Sequence, residues 1–398
     1  MSTQTAAGIR ILPAPIPESL DAPDAWALRG ANAVERAVTL DTWGHPDLAE
    51  SLLADWAWAR TRSYGRRLRF VVVDDGVASP TAEASTPEVT TLEGEPPECD
   101  PATVVGRLDV TLPTEDNTHL AEAIVMVTPS HRRRGLGRLL AAKAEEVVRA
   151  DGRRVLLSWS DHAVEPPEPG LDGPPVLRPP TGSGRIPDDA ASRFAVGLGF
   201  GLEQAERHSV LDLPADGALL DDLEARARAG AGADYRVVTW ADSAPDEWVD
   251  GYAVLQSRMS TDVPLAALEI EEETWDAARI RDHEETRREA GQRLLVAAAE
   301  HVPTGALAAF TVLVVRPGDG GDPDAAFQDS TLVLREHRGH RLGMLVKLAN
   351  VRAVQAAFPS AQRIHTWNAE ENEHMLAINV DMGFRPAGIS AIWQKHLV

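Results

Sequence analysis

Apolar residues recur along this chain in short runs typical of buried strands and in longer stretches at helical spacing. Residues 330–334 form a compact apolar run, and residues 341–358 directly after it carry apolar side chains at helical spacing. Further predicted strands lie at 68–75, 102–112, 234–241, 291–300 and 304–315, and further predicted helices lie at 245–259 and 271–290. The order of strand, helices, three strands, helix, strand, helix and strand predicts a mixed α/β fold.

This order occurs twice, because three segments of the first half of the chain recur in the second half. Residues 122–140 (EAIVMVTPSHRRRGLGRLL) align without a gap with residues 328–346 (QDSTLVLREHRGHRLGMLV). Two further matches follow in the same order: RRVLLSWS (153–160) resembles QRIHTWNA (362–369) with Trp159 opposite Trp367, and VGLGF (196–200) matches VDMGF (380–384). The chain is therefore predicted to hold an internal repeat of domain size.

We place the first copy at residues 1–213 and the second copy at residues 235–398. Residues 214–234 are predicted to be a linker, with a short helix at its start and a loose Gly/Ala end. Two insertions near 76–101 and 164–187 are rich in Pro, Gly, Ser, Thr or Glu. Such composition is typical of mobile segments, so we expect both insertions to be mobile and the second to lack regular structure.

The composition narrows the class of protein. The 398 residues carry a formal net charge of -22, which argues against a nucleic-acid partner, because neutralising phosphates needs a basic face. The acidic surface either attracts a cationic substrate or only favours solubility. No apolar run reaches the roughly 18 residues of a membrane span, and the N-terminus lacks the features of a signal peptide. With Cys99 as its single cysteine, the chain is expected to be cytoplasmic, without membrane partner, and its oligomeric state is left open.

A basic, glycine-containing phrase joins strand to helix in each copy, PSHRRRGLGR at 129–138 and REHRGHRLGM at 335–344. The start of a helix has backbone N–H groups without internal partners and a partial positive charge, so it suits a phosphate. Glycines let a diphosphate approach the backbone, and Arg or His adds donors. The alternative is a helix start with solvated charges. The chain lacks a Walker A motif and a G-x-G-x-x-G after its first strand, so no nucleotide fold is indicated.

The phrase of the first copy resembles the acetyl-CoA signature V-x-P-x-x-R-x-x-G-x-G of the GNAT superfamily of N-acyltransferases. It matches in full at Val127, Pro129, Arg132, Gly135 and Gly137. The second copy has Val333, Arg338 and Gly343 at the matching positions. It departs from the signature at Arg341, which stands where the first glycine is usual, and Gly339 two residues earlier is expected to restore room.

A second GNAT element, N-x-x-A-x-x-x-Y-x-x-x-G-F, is also resembled. The second copy has Asn372, Met375, Asn379, Gly383 and Phe384 at its positions. The first copy has Asp188, Ala195, Gly199 and Phe200, and so lacks both polar landmarks. The chain as a whole resembles a tandem pair of GNAT domains, distantly similar to mycothiol synthase.

The resemblance implies two splayed mixed β-sheets flanked by helices, each able to hold acyl-CoA in its splay. It implies an N-acetyltransferase that moves an acetyl group from acetyl-CoA, without a metal, to a primary amine of a small-molecule acceptor by direct attack. The positions that the resemblance assigns to acetyl-CoA are Val333, Leu334, Arg338, Gly339, His340, Arg341, Leu342, Gly343 and Asn372 in the second copy and Val127, Arg132, Arg133, Arg134, Gly135 and Gly137 in the first.

The family often places a carboxylate base on the strand before the acetyl-CoA turn, which makes Asp329, or Glu122 in the first copy, a candidate. Glu370 is a second candidate base, or it only holds the start of a helix. Asn379 stands where the family often has a tyrosine acid, and an amide there can donate a hydrogen bond to sulfur but no proton.

Two further positions have alternative interpretations. Asn372 is either a contact for acetyl-CoA or the N-cap of the last helix. Asp262 is either a partner for a cationic acceptor amine or part of the turn that ends a helix before Pro264.

The second copy is predicted to be catalytic and the first to be degenerate. The second copy keeps both amides, lacks the insertions and ends on a strand with Trp393 and Gln394 that is expected to close the site. The alternative function is a sensor or scaffold that binds acyl-CoA in both copies without turnover. The identity of the acceptor does not follow from the sequence.

Overall fold

The computed structural model describes residues 8–61, 63–78, 89–91, 99–163, 175–318 and 321–397. The helices are α1 (Trp26–Trp43), α2 (Leu52–Arg60), α3 (Leu136–Ala150), α4 (Ala190–Gly197), α5 (Gly217–Ala231), α6 (Val249–Asp262), α7 (Ala277–Glu289), α8 (Leu342–Ala357) and α9 (Glu373–Asp381). The strands are β1 (Ile9–Pro13), β2 (Gly65–Asp74), β3 (Val89–Thr91), β4 (Val104–Pro113), β5 (Leu120–Val127), β6 (Val155–His162), β7 (Val176–Leu177), β8 (Ile186–Pro187), β9 (Gly201–Asp212), β10 (Tyr235–Ala241), β11 (Arg293–His301), β12 (Ala306–Val315), β13 (Ala325–Val333), β14 (Arg363–Ala369) and β15 (Arg385–His396). The predicted mixed α/β fold class is confirmed.

Contacts divide the chain into two compact units. Unit 1 comprises Met1–Ser158 with Lys395–Val398, and unit 2 comprises Trp159–Gln394. The units differ from the sequence copies, because residues 159–213 of the first copy belong to unit 2. The limits of the repeat therefore stay a prediction about sequence, while the contacts define the folded units.

Unit 1 is a sheet covered by helices. Strands β1, β2, β4 and β5 pair antiparallel in the order β1–β2–β4–β5, β3 pairs parallel with β1, and the start of β6 pairs parallel with β5. Helix α1 ends at Gly44, whose φ of +74° suits a residue without Cβ. Its buried face packs Trp26 and Val34 against β1, β2 and β4, so that burial of this apolar stripe accounts for the position of the helix.

Unit 2 contains a seven-stranded sheet in the order β10–β11–β12–β13–β14–β9–β15. Helices α5, α8 and α9 bury their apolar residues against one face of it. Tyr252 of α6 packs on Phe310 of β12 on the opposite face, with 5.4 Å between ring centroids. Strand β9 is antiparallel to both β14 and β15. A strand from the first sequence copy therefore completes the sheet of the second.

The prediction that the linker has a loose Gly/Ala end is wrong, because residues 217–231 form helix α5. Asp216 caps this helix by accepting from the N–H groups of Ala218 and Leu219. Leu220, Leu223 and Ala227 are buried in the core of unit 2. Their spacing of three and four residues gives the helix an apolar face, which outweighs the low helix propensity of its glycines.

The predicted insertions are described in part. Residues 79–88, 92–98 and 164–174 lie outside the described residues, so their predicted mobility stays a prediction. The expectation of no regular structure is wrong for the end of the second insertion, because Val176–Leu177 pairs with Ile186–Pro187. Ile186 is fully buried beside Ile389 and Trp393, and this burial fixes the hairpin. Within the described ranges, no helix has the length and apolar content needed to cross a bilayer.

Candidate active site

The central feature of unit 2 is a split between strands β13 and β14. The two strands pair in parallel only where Ala325–Phe327 faces Arg363–His365. Next to this point β13 has a bulge, since Leu313 of β12 faces Gln328 and Val312 faces Ser330, which leaves Asp329 as the extra residue. Beyond the pairing the strands separate, so the splay implied by the resemblance is present in the second copy.

The chain turns from β13 into α8 directly beside this split. Gly339 has a φ of +88° and Arg341, the N-cap of α8, a φ of +56°. The first hydrogen bond of the helix runs from the N–H of Leu345 to the C=O of Arg341 (3.1 Å). The N–H groups of residues 342–344 precede this bond and point out of the helix start, which creates a site for an anion.

Side chains around the turn keep this surface open and basic. Arg338 folds back, and its Nε donates to the C=O of Val333 (3.2 Å). At Gly343, an added Cβ would lie 3.3 Å from Ile378 Cδ1, closer than nearly all such contacts. Gly339 has open space around it instead. Glycine is thus required at 343 by close packing and favoured at 339 by its positive φ.

Asp262 lies at this turn. Its carboxylate is 3.4 Å from Arg335 Nε, and its C=O accepts from Arg338 Nη2 (3.4 Å). These contacts tie the end of α6 to the basic turn, as the interpretation of Asp262 as part of a helix-ending turn requires. Nearby, Tyr235 Oη and His337 Nδ1 are 2.9 Å apart. Burial and the neighbouring His301 lower the pKa of His337, so this ring is mainly neutral at pH 7.

The turn of the first copy has the same backbone course within unit 1. Arg133 and Gly135 have φ of +65° and +85°, at the positions aligned with Gly339 and Arg341. Arg132 Nε donates to the C=O of Val127 (3.2 Å), as Arg338 does to Val333. The first helical bond, from Leu139 to Gly135, measures 3.2 Å. Each turn therefore has one glycine and one arginine in left-handed backbone, in opposite order.

Acidic partners surround the first turn. Arg132 Nη1 is 2.6 Å from Asp41, and Arg134 Nη1 is 3.6 Å from Asp74. Behind them, unit 1 buries an ionic network on its α1/α2 side. Arg69 pairs with Asp55 and Asp109 at 2.5 Å each, and Arg107 pairs with Glu35 at 2.6 Å. Burial, as the largest cause, raises the pKa of Glu35 to about 7.

Asn379 of α9 lies against the inner end of the split and is 2% exposed. Its Nδ2 donates to Oδ1 of Asn368 on β14 (2.6 Å). Its own Oδ1 is buried without a hydrogen-bond partner among the described residues. Asn372 accepts from the N–H of Met375 (3.3 Å) and is the N-cap of α9. The N-cap interpretation of Asn372 is therefore confirmed, while its predicted contact with acetyl-CoA stays a prediction.

Two of the three carboxylates named from sequence as candidate bases, Asp329 and Glu370, are held by arginines; for Glu122 the role stays a prediction. Asp329 Oδ1 is 3.3 Å from Arg287 Nη2. Glu370 accepts two hydrogen bonds from Arg207, from Nε at 2.9 Å and from Nη2 at 2.8 Å. Each carboxylate thus already has a cationic partner in the structure. Their predicted role as base stays a prediction.

Sequence reasoning missed Glu206, a half-buried carboxylate on β9. Burial, together with the nearby carboxylates of Glu371 and Asp161, raises the pKa of Glu206 to about 7. Glu206 faces Ala369 of β14 across the ladder, next to the split. It was missed because the sequence assigns β9 to the first copy. The alternation along β9 was a usable signal, since it places Gln204, Glu206 and His208 on one face.

A fully buried lysine lies beneath the bulge. Lys347 of α8 donates from Nζ to Gln328 Oε1 (3.2 Å). Gln328 Nε2 in turn donates to the carbonyl groups of Val312 (2.6 Å) and Ser330 (3.1 Å). Burial lowers the pKa of Lys347 to about 7. Lys347 and Gln328 thus brace the bulge at which the strands begin to separate.

The predicted closure of the site by the last strand stays a prediction, and the structure shows only the contacts of its two residues. Gln394 of β15 accepts from the N–H of Glu269 (2.9 Å) and so holds the segment after α6. Trp393 is buried and contacts Ser160 of β6. Across the described part of the chain, no group of three or more His, Cys, Asp or Glu side chains is placed to hold a metal ion.

Comparisons with known proteins agree with this geometry. Residues 94–166 match the model described as the acetyltransferase (GNAT) family. No curated protein matches the chain. Among solved structures, a tandem GNAT protein from the clavulanic acid biosynthesis pathway is 25% identical, with a TM-score of 0.69 and coverage of 98% of both chains. The resemblance to the GNAT superfamily in its tandem type is confirmed, and the likeness to mycothiol synthase stays a prediction.

Two more distant structures share the fold. A GCN5-related N-acetyltransferase from Sphaerobacter thermophilus is 12% identical, with a TM-score of 0.57 and coverage of 98% of this chain and 95% of that one. A glucosamine N-acetyltransferase region of a fungal multi-domain β-N-acetylglucosaminidase is 13% identical, with a TM-score of 0.57. That match covers 99% of this chain and 39% of the fungal chain. The family match and the tandem GNAT structure together support an acyltransferase.

Proposed function

We propose that this acyltransferase, with the fold of a tandem GNAT protein, transfers an acetyl group from acetyl-CoA to a primary amine of a small molecule. The reaction takes place in the second copy, by direct attack of the amine on the thioester. The observation that carries the proposal is the split between β13 and β14, with an anion-binding helix start at one end and the buried amide of Asn379 beside it.

The residues of the second turn fit the diphosphate of acetyl-CoA. The N–H groups at the start of α8 supply donors, and Arg338 and Arg341 supply positive charge. Gly339 leaves open space in front of the backbone. The unpaired edges of β13 and β14 supply N–H and C=O groups for the amides of the pantetheine arm. Bound acetyl-CoA supplies the thioester carbonyl that the amine attacks.

Glu206 is the base that we assign to the reaction. Its pKa of about 7 lets it exist as a carboxylate at neutral pH and still accept a proton from an ammonium group. Asp329 and Glu370 are less suited, because each is paired with an arginine. In this assignment Asp329 and Arg287 form the wall of the acceptor side, and Glu370 holds β9 through Arg207.

We assign to Asn379 a hydrogen bond to the sulfur of the departing CoA thiolate. An amide nitrogen carries two hydrogens, and the hydrogen bond to Asn368 uses one of them. The second hydrogen is available to the departing thiolate, and the unpartnered Oδ1 is available to an N–H or S–H group. The amide stabilises the thiolate but does not protonate it.

The acceptor is a cationic amine in this proposal. The carboxylate of Glu371 lies close enough to Glu206 for its charge to raise the pKa of Glu206. Gln204 Nε2 holds Glu371 Oε1 (2.7 Å) and also donates to the C=O of Pro264 (3.0 Å). The pair of carboxylates therefore faces the segment after α6 and favours an ammonium group. We place the protein in the cytoplasm, without nucleic-acid or membrane partner.

For the first copy, the proposal is that it binds acyl-CoA without turnover. It has Ala195 at the position of Asn379, and Asp188 is paired with Arg193 at 2.9 Å. Its turn keeps the anion-binding backbone. We propose that acyl-CoA binds there without amine acetylation.

The test is release of free thiol from acetyl-CoA by the full chain with a panel of primary amines, diamines and aminoglycosides. Amine-dependent release, together with an acetylated product in mass spectra, supports the proposal. Acetyl-CoA that binds in calorimetry but gives no amine-dependent release across the panel favours a sensor or scaffold instead. Absence of acetyl-CoA binding contradicts both functions.

A further inference from the structure

Outside the proposed transferase site, unit 2 holds a serine, a histidine and an aspartate in one chain of hydrogen bonds. Ser160 Oγ lies 3.0 Å from His162 Nε2, and His162 Nδ1 lies 2.7 Å from Asp189 Oδ2. Ser160 Oγ also accepts from Trp393 Nε1 (2.9 Å). Both distances of the chain lie within the range of a nucleophile with its base and of a base with its orienting acid.

The proton positions in this chain follow from its chemistry. Burial acts to raise the pKa of Asp189, but hydrogen bonds from His162 and two backbone N–H groups outweigh it and lower the pKa. An ionised Asp189 only accepts, so His162 carries its hydrogen on Nδ1. In the neutral imidazole with this tautomer, Nε2 holds a lone pair that can accept the hydroxyl hydrogen of Ser160. The N–H of Trp393 occupies another side of Oγ, which leaves the serine hydroxyl directed at the histidine.

Rigid elements hold all three residues. Ser160 and His162 lie two residues apart on one face of β6. Asp189 is the N-cap of α4 and accepts from the N–H groups of Ala191 (2.9 Å) and Ser192 (3.1 Å). His162 is 4% exposed, whereas Ser160 is half-buried. The base is thus more shielded from water than the residue that carries the hydroxyl.

The sequence repeat relates this serine to the transferase site. Trp159 aligns with Trp367, so Ser160 aligns with Asn368, the partner of Asn379 at the inner end of the β13–β14 split. β6 pairs with β5 only up to Leu157, so Ser160 lies on the part of β6 beyond that pairing. The first copy thus has a serine hydroxyl where the second has the amide of Asn368, which binds Asn379.

We propose that Ser160, His162 and Asp189 form a nucleophilic site that hydrolyses acyl thioesters. Ser160 Oγ attacks the thioester carbonyl while its proton passes to His162 Nε2, the C–S bond breaks, and that proton leaves with the thiol. His162 then takes a proton from water, whose oxygen attacks the carbonyl of the acyl-serine ester. The acyl C–Oγ bond breaks, and His162 Nε2 returns the proton to Ser160 Oγ. The products are a carboxylic acid, a free thiol and the regenerated hydroxyl. The ligand class is a short acyl thioester or an activated ester of the same acid.

The experiment uses the full chain without any amine, so its result does not depend on the proposed transferase activity. An alkyl fluorophosphonate is added, and the modified residue is identified by intact mass and peptide mapping. Thiol release from acetyl-CoA and hydrolysis of p-nitrophenyl acetate are measured in parallel. The variants are Ser160→Ala and Asp189→Asn. Ser158→Ala is the matched control, because Ser158 lies two residues away on the same face of β6.

We expect one phosphonate adduct, on Ser160, in the wild type and in Ser158→Ala. Ser160→Ala should lose the adduct and at least about 100-fold of the hydrolysis rate, and Asp189→Asn should lose a similar amount through the wrong histidine tautomer. No adduct on Ser160 in the folded wild type, or unchanged hydrolysis in Ser160→Ala, would overturn the proposal and leave the three residues as a structural hydrogen-bond chain.

Discussion

The two turns show what is repeated in this molecule. In both turns, two residues that are separated by one other residue adopt left-handed backbone before a helix. They are Arg133 and Gly135 in the first turn and Gly339 and Arg341 in the second. Each turn has a glycine at only one of these positions, and the positions are exchanged. The repeated property is therefore the backbone path and not a glycine at a fixed place. A sequence signature that requires the first glycine undervalues the second turn.

Behind the turns the two copies differ in chemistry. The face under α1 and α2 in unit 1 is filled by the ionic network around Arg69 and Arg107. The equivalent face of unit 2 has Tyr252 packed on Phe310, with Asp329 at the bulge. The charged groups of this network pair with one another, so few of them are left to bind a substrate. This difference supports turnover in the second copy, and the following predictions test it.

The largest effect is expected at the base. Glu206→Gln should lower kcat/KM by about 100-fold or more at pH 8, because general base catalysis contributes about 10²–10⁴-fold. With a pKa of about 7, Glu206 is ionised above that pH and protonated below it. The wild-type rate should therefore fall about tenfold per pH unit below pH 7, and the variant should lack this acid limb.

Glu203→Gln is the matched control for this measurement, since Glu203 lies on the same strand with its side chain on the opposite face. Its pH profile should equal that of the wild type. An unchanged acid limb in Glu206→Gln would assign the base to another group, with Asp329 and Glu370 as the next variants to measure.

A smaller effect, still about 100-fold, is expected for binding at the second turn. Gly339→Glu places a negative charge against the diphosphate and should weaken acetyl-CoA binding by about 100-fold. Arg133→Glu is the same change at the aligned position of the first turn and should alter kcat by less than about threefold. Calorimetry with acetyl-CoA and initial rates with the identified amine give the two values.

Gly339→Lys separates charge from backbone strain, because it introduces the same strain at a φ of +88° with the opposite charge. It should bind acetyl-CoA at least as well as Gly339→Ala. If Arg133→Glu abolishes amine acetylation while Gly339→Glu does not, the assignment of the catalytic copy is wrong.

The third effect concerns the sulfur. Asn379→Ala removes a neutral amide and should lower kcat by about tenfold, since one such hydrogen bond contributes about 0.5–1.5 kcal/mol. The affinity for acetyl-CoA should stay within about threefold. Ala195→Asn, the reverse change in the first copy, should leave kcat unchanged. A loss above about 1,000-fold would mean that Asn379 orders a group essential for proton transfer.

Much of the fold followed from the sequence, because local patterns determine it. The apolar run at 330–334 and the helical spacing after 341 placed β13, the turn and α8 to within a few residues. The same reasoning failed at residues 214–234, where the glycine and alanine content suggested a loose end. The apolar face formed by Leu220, Leu223 and Ala227 stabilises the helix only when another element of the fold covers it.

The site followed from the sequence only in part. The turn residues form a local motif, so the resemblance located them together. Glu206 could not be found in this way, because its role depends on β9 pairing with β14 of the other copy. The pairing of Asp329 with Arg287 joins residues 42 positions apart and leaves no local pattern. Long-range strand pairing and ion pairing thus decide which carboxylate is available.

The smallest effect returns to the exchanged glycines. Arg341 has a φ of +56°, a conformation that costs a residue with a Cβ roughly 1 kcal/mol relative to glycine. Arg341→Gly should relieve this strain. The gain in stability is reduced because the variant loses the packing of the arginine stem against Gly230, where a Cβ added to Gly230 would lie 3.0–3.4 Å from the stem atoms. We expect a net stabilisation of about 0.5 kcal/mol and an affinity for acetyl-CoA about threefold weaker.

The reverse change in the first turn separates backbone from charge. Gly135 has no atom within 4 Å of an added Cβ, so the Cβ of Gly135→Arg has room and the main cost is the strained φ of +85°. It should destabilise the protein by about 1 kcal/mol. Arg341→Ala keeps the strain and removes the charge, so it should weaken acetyl-CoA binding like Arg341→Gly without raising Tm. Equal Tm values for Arg341→Ala and Arg341→Gly would contradict this argument. They would show that the left-handed backbone does not favour glycine at position 341, and that the positions of the glycines in the two turns have another cause.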